Sequence, residues 1–458
     1  MSLIHHLQQF NGMRVALVGL ARSNLPLIEP LHQAGAQLIL CDKKTDWTQL
    51  EDWQAKGVEL HFGDDYLSGW AADYILRSPG IRPDIGSLPQ QEESGAVITS
   101  EIELFFDACP CFTYAVTGSD GKTTTTSLIA AILEAAGETV HLGGNIGTPL
   151  LPKIHEVNTA DIAVAELSSF MLMTFKNSAD VAVLTNISPN HLDWHTDYAE
   201  YKSAKETIFR HQTEIQTVVL NRDNYESYKL HGNARGRVVT FGIDNDADIT
   251  LAGKVVTAFG KPIIHIADWK LPGRYNIENL LAAIAATYSR VPDAAMVKAI
   301  RNFHGVQHRL EWVRNLNGVN WYNNSIATSP SRVITSLTAF DDKIILIAGG
   351  AEKGIAFDEL AAALPNHVKQ LILTGEAAAN LIEAAATKID GCPPIHRAKT
   401  MEGAVRIAAE LAQSGDNVAL MPGCTAFDAY ADFAARGEDF MQLVNLLPSS
   451  SQPKLESL

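Results

Sequence analysis

The sequence predicts an α/β protein of three domains, each built around a parallel sheet. Its 458 residues are too many for one ordinary domain, and typical domain sizes suggest about three. Short apolar segments with the pattern of buried strands alternate with segments of helical spacing along the chain. Strands that alternate with helices usually pair in parallel. The predicted domains are residues 1–100, 101–305 and 306–458.

The composition narrows the classes to which the protein can belong. Hydrophobic residues make up 46% of the sequence and charged residues 19%, as in globular proteins with large cores. A net charge of −16 argues against general binding of nucleic acid, because affinity for a phosphate backbone depends on basic surface. No apolar run approaches the roughly 20 residues of a membrane span, and the N-terminus has no signal-peptide pattern. We therefore expect a cytoplasmic protein.

The five cysteines predict neither a disulfide framework nor a metal site. Their odd number and wide scatter argue against structural disulfides. Cys109 and Cys111 are close in sequence, but no second pair of Cys or His lies near them, and a zinc site needs four clustered ligands. We expect buried or idle thiols.

The N-terminal domain opens with a βαβ pattern and is predicted to be Rossmann-like. Arg14–Leu20 has the pattern of a buried strand, apolar residues at helical spacing follow it, and a second strand, Gln37–Asp42, ends on an acid. An acid about 20 residues beyond the first turn is typical of a site for a ribose hydroxyl. The segment Gly19–Asn24 lacks the GxGxxG pattern, which disfavours a NAD site. The βαβ unit therefore binds another nucleotide or has only a structural role in the fold.

Further buried strands are predicted in the other two domains. In the central domain they are Phe112–Val116, Ile162–Ala165, Val181–Leu184 and Val218–Leu220. In the C-terminal domain, which is also predicted to be Rossmann-like, they are Lys343–Gly349, Gln370–Gly375 and Asn417–Met421. Polar residues that follow such parallel strands are expected to face one side of the sheet.

The strongest functional signal is a phosphate loop between a strand and a helix of the central domain. Its residues are Gly118, Ser119, Asp120, Gly121, Lys122, Thr123 and Thr124. Glycines let backbone N–H groups curl around phosphate oxygens, and the helix N-terminus adds a favourable field. Lys122 would neutralise the β- and γ-phosphates, and Thr123 would reach Mg²⁺. Val116 stands where the usual loop has glycine, so this is a shortened variant. The alternative is a glycine turn that caps a helix.

Two more strand ends carry polar residues suited to this site. Glu166 follows the strand Ile162–Ala165, where a parallel sheet can present a carboxylate to Mg²⁺. His191 lies in the loop after the strand Val181–Leu184. A strand-end acid that faces solvent and an ordinary loop histidine are the alternatives. Three polar clusters on consecutive strand ends favour a shared site.

Several motifs taken together resemble the Mur ligase superfamily. In chain order they are Thr117–Thr124, Gly143–Gly147, Glu166–Phe170, Asn190–Asp193 and His308-Arg309. The later runs Pro422–Asp428 and Phe433–Gly437 resemble the branch of that family that adds glutamate. The resemblance covers residues 14–447, nearly the whole chain.

The resemblance implies an ATP-dependent ligase that forms an amide bond. The expected reaction joins D-glutamate to UDP-N-acetylmuramoyl-L-alanine in peptidoglycan precursor synthesis, and so serves the cell wall, cell shape and cell division. The substrate carboxylate would attack the γ-phosphate of ATP, and the glutamate amine would capture the acyl phosphate. The N-terminal, central and C-terminal domains would hold the UDP-substrate, ATP and glutamate in that order. We expect a monomer that uses Mg²⁺.

Catalytic roles also follow from the resemblance. The implied catalytic residues are Lys122, Glu166, His191 and Lys205. Thr123 and Glu166 would hold a first Mg²⁺, His191 would belong to a second metal site, and Lys205 would also take part in metal binding. Lys205 matches a lysine that is carbamylated in the family, which turns a cation into a carboxylate-like group. From the sequence pattern alone, Lys205 would be a solvated helix lysine.

Binding roles follow in the same way. Adenine would face Asn276 and Asn279, although Asn276 could also cap a helix, and the ATP side would include Arg309 and Asn324. The residues implied for the UDP-substrate are Ser23, Asp42, Ser78, Gly80, Asn145 and Ser168. Those implied for glutamate are Thr328, Lys353 and Phe433.

Four positions depart from the familiar pattern of the family. Asn324 stands in place of an Asp on the ATP side, and Ile326 in place of a Lys beside it. Ala426 stands in place of a Ser in the glutamate pocket, and Met171 in place of a Gln. With fewer polar contacts in the pocket, L-glutamate, which a related branch uses, stays the alternative amino acid.

Other interpretations fit parts of the sequence. Folylpolyglutamate synthase shares the central and C-terminal domains but would begin near its phosphate loop, whereas 116 residues precede Thr117 here. A ligase that adds alanine would carry GxGxxG in the first domain, and one that adds a diamino acid would carry an Asp-Asn-Pro-Arg motif. The sequence has neither pattern. A phosphate-loop NTPase switch would hydrolyse ATP without any acceptor.

Overall fold

The computed structural model forms three sheets within the residues that it describes, 2–352 and 354–449. Most strand pairs in these sheets are parallel, which confirms the predicted α/β class. The predicted glutamate-pocket residue Lys353 lies outside the described residues. The chain divides into two compact units, one of residues up to 266 with 278–300, the other of 267–277 with residues from 301 onward. The boundaries predicted for three domains stay predictions.

The N-terminal sheet is parallel throughout and has the strand order β3-β2-β1-β4-β5. Its strands are β1 (Arg14–Val18), β2 (Gln37–Asp42), β3 (Glu59–Phe62), β4 (Tyr74–Arg77) and β5 (Val97–Thr99). The helices of this region are α1 (Leu3–Leu7), α2 (Ile28–Gln33), α3 (Leu50–Ala55), α4 (Leu88–Glu93) and α5 (Glu101–Ala108). Strand order reverses beside β1, and ligands bind at such a point in open α/β sheets.

The chain after β1 turns sharply before its helix begins. Residues Leu25–Leu27 form a short 3-10 turn with Pro26 near its start, and α2 follows directly. Asn24 is fully buried at this turn. Its Nδ2 atom donates to backbone carbonyl oxygens of Val18, Gly19 and Leu76. One side chain therefore ties the carboxyl ends of β1 and β4 together.

The central sheet has the strand order β14-β13-β12-β11-β10-β9-β6-β8-β7. Its strands are β6 (Phe112–Thr117), β7 (Val140–Gly144), β8 (Ile162–Glu166), β9 (Val181–Leu184), β10 (Thr217–Asn221), β11 (Arg237–Gly242), β12 (Ile249–Ala252), β13 (Val255–Ala258) and β14 (Lys261–His265). The helices are α6 (Lys122–Ala135), α7 (Ser169–Leu172), α8 (Tyr198–Arg210), α9 (Tyr225–Tyr228), α10 (Arg274–Thr287) and α11 (Asp293–Asn302). Strand β6 lies between β8 and β9 and is parallel to both, so the segments that follow these strands meet at one edge.

An antiparallel meander at one end of the central sheet was not predicted. Strands β12, β13 and β14 pair antiparallel through two-residue turns. Phe259 and Gly260 form the second turn with φ of 50° and 79°. Such a turn favours Asn or Gly at both positions, so phenylalanine there concealed the hairpin in the sequence.

The C-terminal sheet has the strand order β15-β16-β20-β17-β18-β19. Its strands are β15 (Glu311–Leu316), β16 (Val319–Asn323), β17 (Ile344–Gly349), β18 (Val368–Thr374), β19 (Ile395–Arg397) and β20 (Asn417–Leu420). The helices are α12 (Pro330–Leu337), α13 (Asp358–His367), α14 (Ala377–Ala386), α15 (Met401–Leu411) and α16 (Phe433–Leu446). All neighbouring strands are parallel except β15 and β16, which form an antiparallel hairpin.

Strand β17 shows why a continuous apolar run can predict a buried parallel strand. Its residues are buried without exception, and alternate side chains enter different cores. Ile344 and Leu346 belong to one apolar cluster, and Ile345 and Ile347 belong to another. A strand covered on both faces needs apolar residues at every position.

The helices are of modest length. The three longest, α6, α10 and α16, contain 14 residues each. A membrane-spanning helix needs about 20 apolar residues. In the part of the chain that the structure describes, no helix is both long and apolar enough to cross a membrane.

Candidate active site

The phosphate loop lies between β6 and α6, where it was predicted. Gly118 and Gly121 have φ of 152° and 79°, values that L side chains rarely adopt. A Cβ atom added at Gly118 would overlap the hydroxyl of Thr185, and one at Gly121 would overlap the side-chain amide of Asn279. Both glycines are therefore required by backbone conformation and by close packing. The interpretation as a simple helix cap does not account for this packing.

Lys122 holds its amine close to the backbone of the loop. Its Nζ atom donates to the carbonyl oxygens of Gly118 and Ser119, both at 2.9 Å. Lys122 and the neighbouring Thr123 are partly accessible, and Asp120 is exposed. The amine is thus fixed at the first turn of α6, where a phosphate would meet both the N–H groups and a positive charge.

The segment after β9 supports the loop through Thr185 and Asn186, to which the sequence analysis gave no individual role. Thr185 Oγ1 donates to the carbonyl oxygen of Asp120 at 2.6 Å. The side-chain oxygen of Asn186 accepts from the Asp120 amide at 3.0 Å. Their position directly after a predicted strand was the available signal.

Ser119 anchors the other side of the loop to α8. Its Oγ atom lies 2.8 Å from the Tyr201 hydroxyl and 3.0 Å from the Ser188 carbonyl oxygen, to which it donates. The side chains of Ser119 and Tyr201 are both buried. A serine at this position therefore serves to hold the loop in shape.

Glu166 ends β8 and carries an unsatisfied buried oxygen atom. The side chain is 1% exposed, and its Oε1 atom accepts from Asn145 Nδ2 at 2.6 Å. Its Oε2 atom is also buried and has no hydrogen-bond partner among the described residues. An acceptor left in this state is costly unless a ligand satisfies it. The carboxylate therefore fits a cation, and oxygen donors such as this one and the Thr123 hydroxyl suit Mg²⁺.

The cation site is not a preformed cage of protein ligands. No group of three or more His, Cys, Asp or Glu that could hold a metal occurs among residues 2–352 and 354–449. Mg²⁺ commonly binds through one or two carboxylates together with water and phosphate oxygens.

Lys205 is buried on α8 and points to the phosphate loop. The residue is 2% exposed, and its Nζ atom donates to the carbonyl oxygen of Gly118 at 2.7 Å. The Nζ atom also lies 4.7 Å from the centre of the Tyr201 ring. Burial, followed by the nearby charge of Lys122, lowers the pKa of the Lys205 amine well below its ordinary value. The alternative of a solvated helix lysine is wrong.

His191 lies in the loop between β9 and α8 in a left-handed conformation, with φ of 55°. Its ring packs at 4.9 Å from the ring of Phe170, which follows the Glu166 motif. Burial and the charges of Lys122 and Lys205 lower the pKa of His191. The nearby positive charges that act on this imidazole thus come from α6 and α8.

The residues predicted for the UDP-substrate lie around the carboxyl end of β1 and on the central domain. Asp42 accepts from the backbone amides of Leu20 at 2.5 Å and Lys44 at 2.8 Å, so both of its oxygens shape the turn. Ser78 is buried, whereas Ser23 is partly accessible and Gly80 and Asn145 are exposed. Ser168 caps α7 by accepting from the Met171 amide at 3.2 Å.

Arg22 connects this region to the central domain and was not predicted. Its guanidinium donates to the carbonyl oxygens of Gly144, Asn145 and Gly147, at 3.1, 3.1 and 3.0 Å. Arginine offers several donors in a fixed fork, which suits a cluster of backbone carbonyls. The predicted Asn145 is therefore held in place by a residue from the segment after β1.

The residues predicted for adenine have different surroundings. Asn279 packs beside Gly121, and its side-chain oxygen accepts from Thr125 Oγ1 at 3.3 Å. Asn276 is buried, and its Nδ2 atom donates to the Pro272 carbonyl oxygen at 2.7 Å. Helix α10 begins at Arg274, so Asn276 is inside the helix and the capping alternative is wrong.

The C-terminal unit has its own polar cluster around Asn324. Asn324 is 2% exposed, accepts from the Leu310 amide at 3.2 Å and donates to Ser336 Oγ at 2.8 Å. It thereby fixes the turn of His308, Arg309 and Leu310, in which His308 and Leu310 have positive φ. Arg309 itself is exposed.

Arg436 is a buried residue that supports the segments predicted to bind glutamate. No role was predicted for it from the sequence. It is 2% exposed and donates to Ser325 Oγ at 3.0 Å and to the Thr425 carbonyl oxygen at 2.9 Å. Burial lowers the pKa of its guanidinium to about 10. Phe433 begins α16, and Thr328 is partly accessible.

Comparison with known proteins identifies the family to which this chain belongs. A family model described as Mur ligase middle domain matches residues 116–287, and one described as Mur ligase, glutamate ligase domain matches residues 308–424. A UDP-N-acetylmuramoylalanine–D-glutamate ligase of Clostridium botulinum is 41% identical over 447 residues, which cover 95% of this chain and 97% of the relative. The chain belongs to the Mur ligase family.

Two further comparisons agree with a Mur ligase. A UDP-N-acetylmuramoylalanine–D-glutamate ligase of Ruminiclostridium cellulolyticum is 42% identical over 460 residues, covering 96% of this chain and 99% of the relative. The crystal structure of a UDP-N-acetylmuramate-alanine ligase from Thermotoga maritima matches with a TM-score of 0.55 at 19% identity, covering 94% of this chain and 98% of that one. At this identity the likeness concerns the fold alone.

The predicted family, fold class and enzyme class are confirmed. This Mur ligase is an ATP-dependent ligase of the amide-forming kind, as its family is. The interpretations as a NAD enzyme or as a switch of another family do not agree with this result.

Proposed function

We propose that the protein joins D-glutamate to UDP-N-acetylmuramoyl-L-alanine, with ATP, in the cytoplasmic synthesis of peptidoglycan precursors. The observation that carries this proposal is the identity of 41–42% over nearly the full length to relatives named for D-glutamate ligation. The ligase would act as a monomer on small molecules, without nucleic acid, and so serve cell-wall formation, cell shape and cell division.

The reaction has to bring two anions together. The carboxylate of UDP-N-acetylmuramoyl-L-alanine attacks the γ-phosphorus of ATP, the bond to ADP breaks, and an acyl phosphate forms. The amine of glutamate then attacks the acyl carbon, and phosphate leaves as the amide forms. Positive charge fixed at the loop offsets the repulsion between the anions and stabilises charge that develops during transfer.

Lys122 is the residue proposed to supply that charge. Its amine, which donates to the Gly118 and Ser119 carbonyl oxygens, is already at the first turn of α6. Together with Gly118, Ser119, Asp120, Gly121, Thr123 and Thr124 it would bind the phosphates. Asn276 and Asn279 are proposed for adenine, and Arg309 and Asn324 for the ATP side.

A first Mg²⁺ is proposed to be held by Thr123 and Glu166. His191 is proposed for a second metal site, and Lys205 for metal binding beside them. When bound, the metal would supply Lewis-acid stabilisation of phosphoryl oxygens. The buried Oε2 atom of Glu166, which no described residue satisfies, is the observation that supports a cation here. Asn145 holds the other oxygen of this carboxylate and so orients it.

Lys205 is proposed to act after carbamylation. An amine reacts with carbon dioxide only when it is neutral, and burial favours the neutral form of Lys205. The nitrogen forms a bond to the carbon of CO₂ and loses a proton, which leaves an anionic carbamate. An anion next to Lys122 and Mg²⁺ is electrostatically favourable, whereas an ammonium group would be repelled.

The remaining roles concern the two substrates. Ser23, Asp42, Ser78, Gly80, Asn145 and Ser168 are proposed for the UDP-substrate. Thr328, Lys353 and Phe433 are proposed for glutamate. The names of the relatives favour D-glutamate over L-glutamate.

The test is phosphate release from ATP in the presence of UDP-N-acetylmuramoyl-L-alanine. D-glutamate, L-glutamate, L-alanine or no amino acid is added in parallel reactions. Release that requires D-glutamate, with the amide product found by mass spectrometry, is the expected result. Release only with L-glutamate would move the enzyme to the other branch. Release indifferent to every amino acid would contradict the proposal.

A further inference from the structure

Four side chains outside the proposed ligand set form a continuous chain of hydrogen bonds. Arg82 donates to both carboxylate oxygens of Glu200, at 2.9 and 3.0 Å. Glu200 Oε2 lies 3.1 Å from His195 Nδ1, and His195 Nε2 lies 3.0 Å from Ser169 Oγ. We call these four residues the relay.

The relay runs from the loop after β4 to the first residue of α7. Its start, Arg82, lies two residues beyond Gly80, which is proposed for the UDP-substrate. Its end, Ser169, directly follows Ser168, and Glu166 is three residues earlier. The relay therefore connects the segment proposed to hold the UDP-substrate with the segment that carries the metal-binding carboxylate.

Trp194 strengthens the same connection. Its ring N–H donates to the Gly80 carbonyl oxygen at 3.2 Å, and its own carbonyl oxygen accepts from Arg82 at 2.6 Å. The Arg82 guanidinium also lies 5.0 Å from the centre of the Trp194 ring. The loop before α8 is thus joined to the loop after β4 at both the backbone and the ring.

The direction of the hydrogen bonds follows from their chemistry. A carboxylate only accepts, so the Nδ1 atom that faces Glu200 donates. The Nε2 atom of a neutral ring is then an acceptor, and the Ser169 hydroxyl donates to it. This order also occurs in serine hydrolases, where the serine attacks a substrate. Ser169 is 2% exposed and the His195 side chain is fully buried, so the serine here is not accessible to a substrate.

We propose that His195 is a positioning residue for the ligase reaction and that it acts through Ser169. The relay fixes the start of α7, and with it Ser168 on one side and Phe170 on the other. The Phe170 ring contacts His191 and Trp194 at 4.9 and 4.5 Å. Loss of the relay lets the UDP-substrate and the phosphate loop drift relative to one another. The inference rests on the proposed function.

The test compares Glu200→Gln, Ser169→Ala and the double variant with the wild-type enzyme. Glu138→Gln is the matched control, because Glu138 pairs with Arg290 at 3.2 Å and its side chain is 27% exposed, against 23% for Glu200. The measured quantities are kcat, KM for ATP and KM for UDP-N-acetylmuramoyl-L-alanine in the D-glutamate-dependent reaction. Thermal melting reports whether each variant folds.

Each single variant is expected to lose about tenfold or more in kcat, since small misplacements of reacting groups are costly, with KM for ATP changed less than about twofold. The kcat of the double variant should be no lower than that of the less active single variant, because both changes break the same series of hydrogen bonds. If the two residues acted independently, their fold losses in kcat would multiply in the double variant. The control should match the wild type.

Normal kcat in both single variants, multiplied losses in the double variant, or an equal loss in the control would overturn the inference. Ser169→Ala removes one hydroxyl and keeps the test valid if Glu200→Gln fails to fold. A wild-type enzyme without D-glutamate-dependent phosphate release would count against the proposed function. An active wild type with normal variants counts against the relay alone.

Discussion

The Nζ atom of Lys205 lies 2.7 Å from the backbone carbonyl oxygen of Gly118 and donates a hydrogen bond to it. Gly118 also accepts from Lys122, so two amines converge on the first residue of the phosphate loop. One amine comes from α6 and the other from α8, which are far apart in the sequence. The loop is therefore held from both sides by groups whose charge matters for the proposed reaction.

Replacement of Lys122 by Ala is expected to abolish turnover while the fold is retained. Loss of a fixed charge at the transferring phosphate should lower kcat by about 100-fold or more. The side chain is partly accessible, so its removal leaves no large cavity. Phosphate release and thermal melting are the measurements, and Lys298→Ala on an exposed face of α11 is the control. ADP formation near the wild-type rate would mean that the phosphate-loop assignment is wrong.

Replacement of Gly118 by Ala should distort the loop. The new Cβ would overlap the Thr185 hydroxyl, and the positive φ of Gly118 adds backbone strain. We expect a free energy of unfolding lower by about 1–3 kcal/mol and a clear loss of phosphate release. Gly232→Ala is the control, because a Cβ there would have no atom within 4 Å. Equal stability of the two variants would contradict this account of Gly118.

Replacement of Glu103 by Gln should change how stability depends on pH. Glu103 is 4% exposed, and burial raises its pKa from 4.5 to about 7. Between these values the folded protein keeps a proton that the unfolded chain has released, so the free energy of unfolding falls as the pH rises through this window. The variant cannot ionise there and should lack this loss, which is on the order of 2–3 kcal/mol.

Chemical denaturation at about pH 4 and pH 8 measures this difference. The Glu103 Oε1 atom accepts from the Lys176 amide at 2.8 Å, a contact that the oxygen of Gln can keep. Glu93→Gln makes the same change at an exposed carboxyl of α4 and should leave the pH profile as in the wild type. Parallel profiles for Glu103→Gln and the wild type would show that Glu103 does not hold the proton.

Replacement of Asn324 by Asp should destabilise the protein, although many members of the family carry Asp there. The Nδ2 atom of Asn324 donates to Ser336 Oγ, and the Ser336 hydroxyl itself donates to the Arg332 carbonyl oxygen at 2.8 Å. A carboxylate would place an acceptor against an oxygen whose proton is already engaged. We expect a loss of about 1–3 kcal/mol in the free energy of unfolding. Asn366→Asp at an exposed site is the control, and equal losses would refute this explanation.

Parallel strands that are buried on both faces could be predicted from the sequence, because they need continuous apolar runs. Ile344–Gly349 and Val181–Leu184 were placed to within one residue. The parallel strands β3, β4, β5, β7, β11 and β19 were not predicted. The antiparallel strands β12 to β15 escaped prediction because they are short and partly exposed. The turn Phe259-Gly260 lacks the usual first residue. The hairpin of β15 and β16 turns at Asn317-Gly318, which is the usual residue pair, and this signal was overlooked.

The site could be predicted only where chemistry depends on residues close in sequence. The phosphate loop is one short segment, and Glu166 stands at the end of a recognisable strand. Lys205 was assigned by resemblance alone, since its burial depends on how α8 packs. Arg82 could not be identified, because its partner Glu200 is 118 residues further along the chain. His195 could not be identified, because its burial and its contact with Ser169 depend on how the loop before α8 packs against α7.

The last strand of the central sheet, β14, has consequences for how the protein behaves at high concentration. An outermost strand exposes unpaired N–H and C=O groups that can recruit another chain. Here Pro262 removes one donor, and the exposed Lys261 places a charge beside it. The pairing of β13 with β14 also has a register shift between Val256 and Thr257, and such an irregularity bends the edge of the sheet so that it is less suited to pairing with another strand. Such an edge hinders growth of the sheet from one molecule into the next, and so protects the enzyme against aggregation.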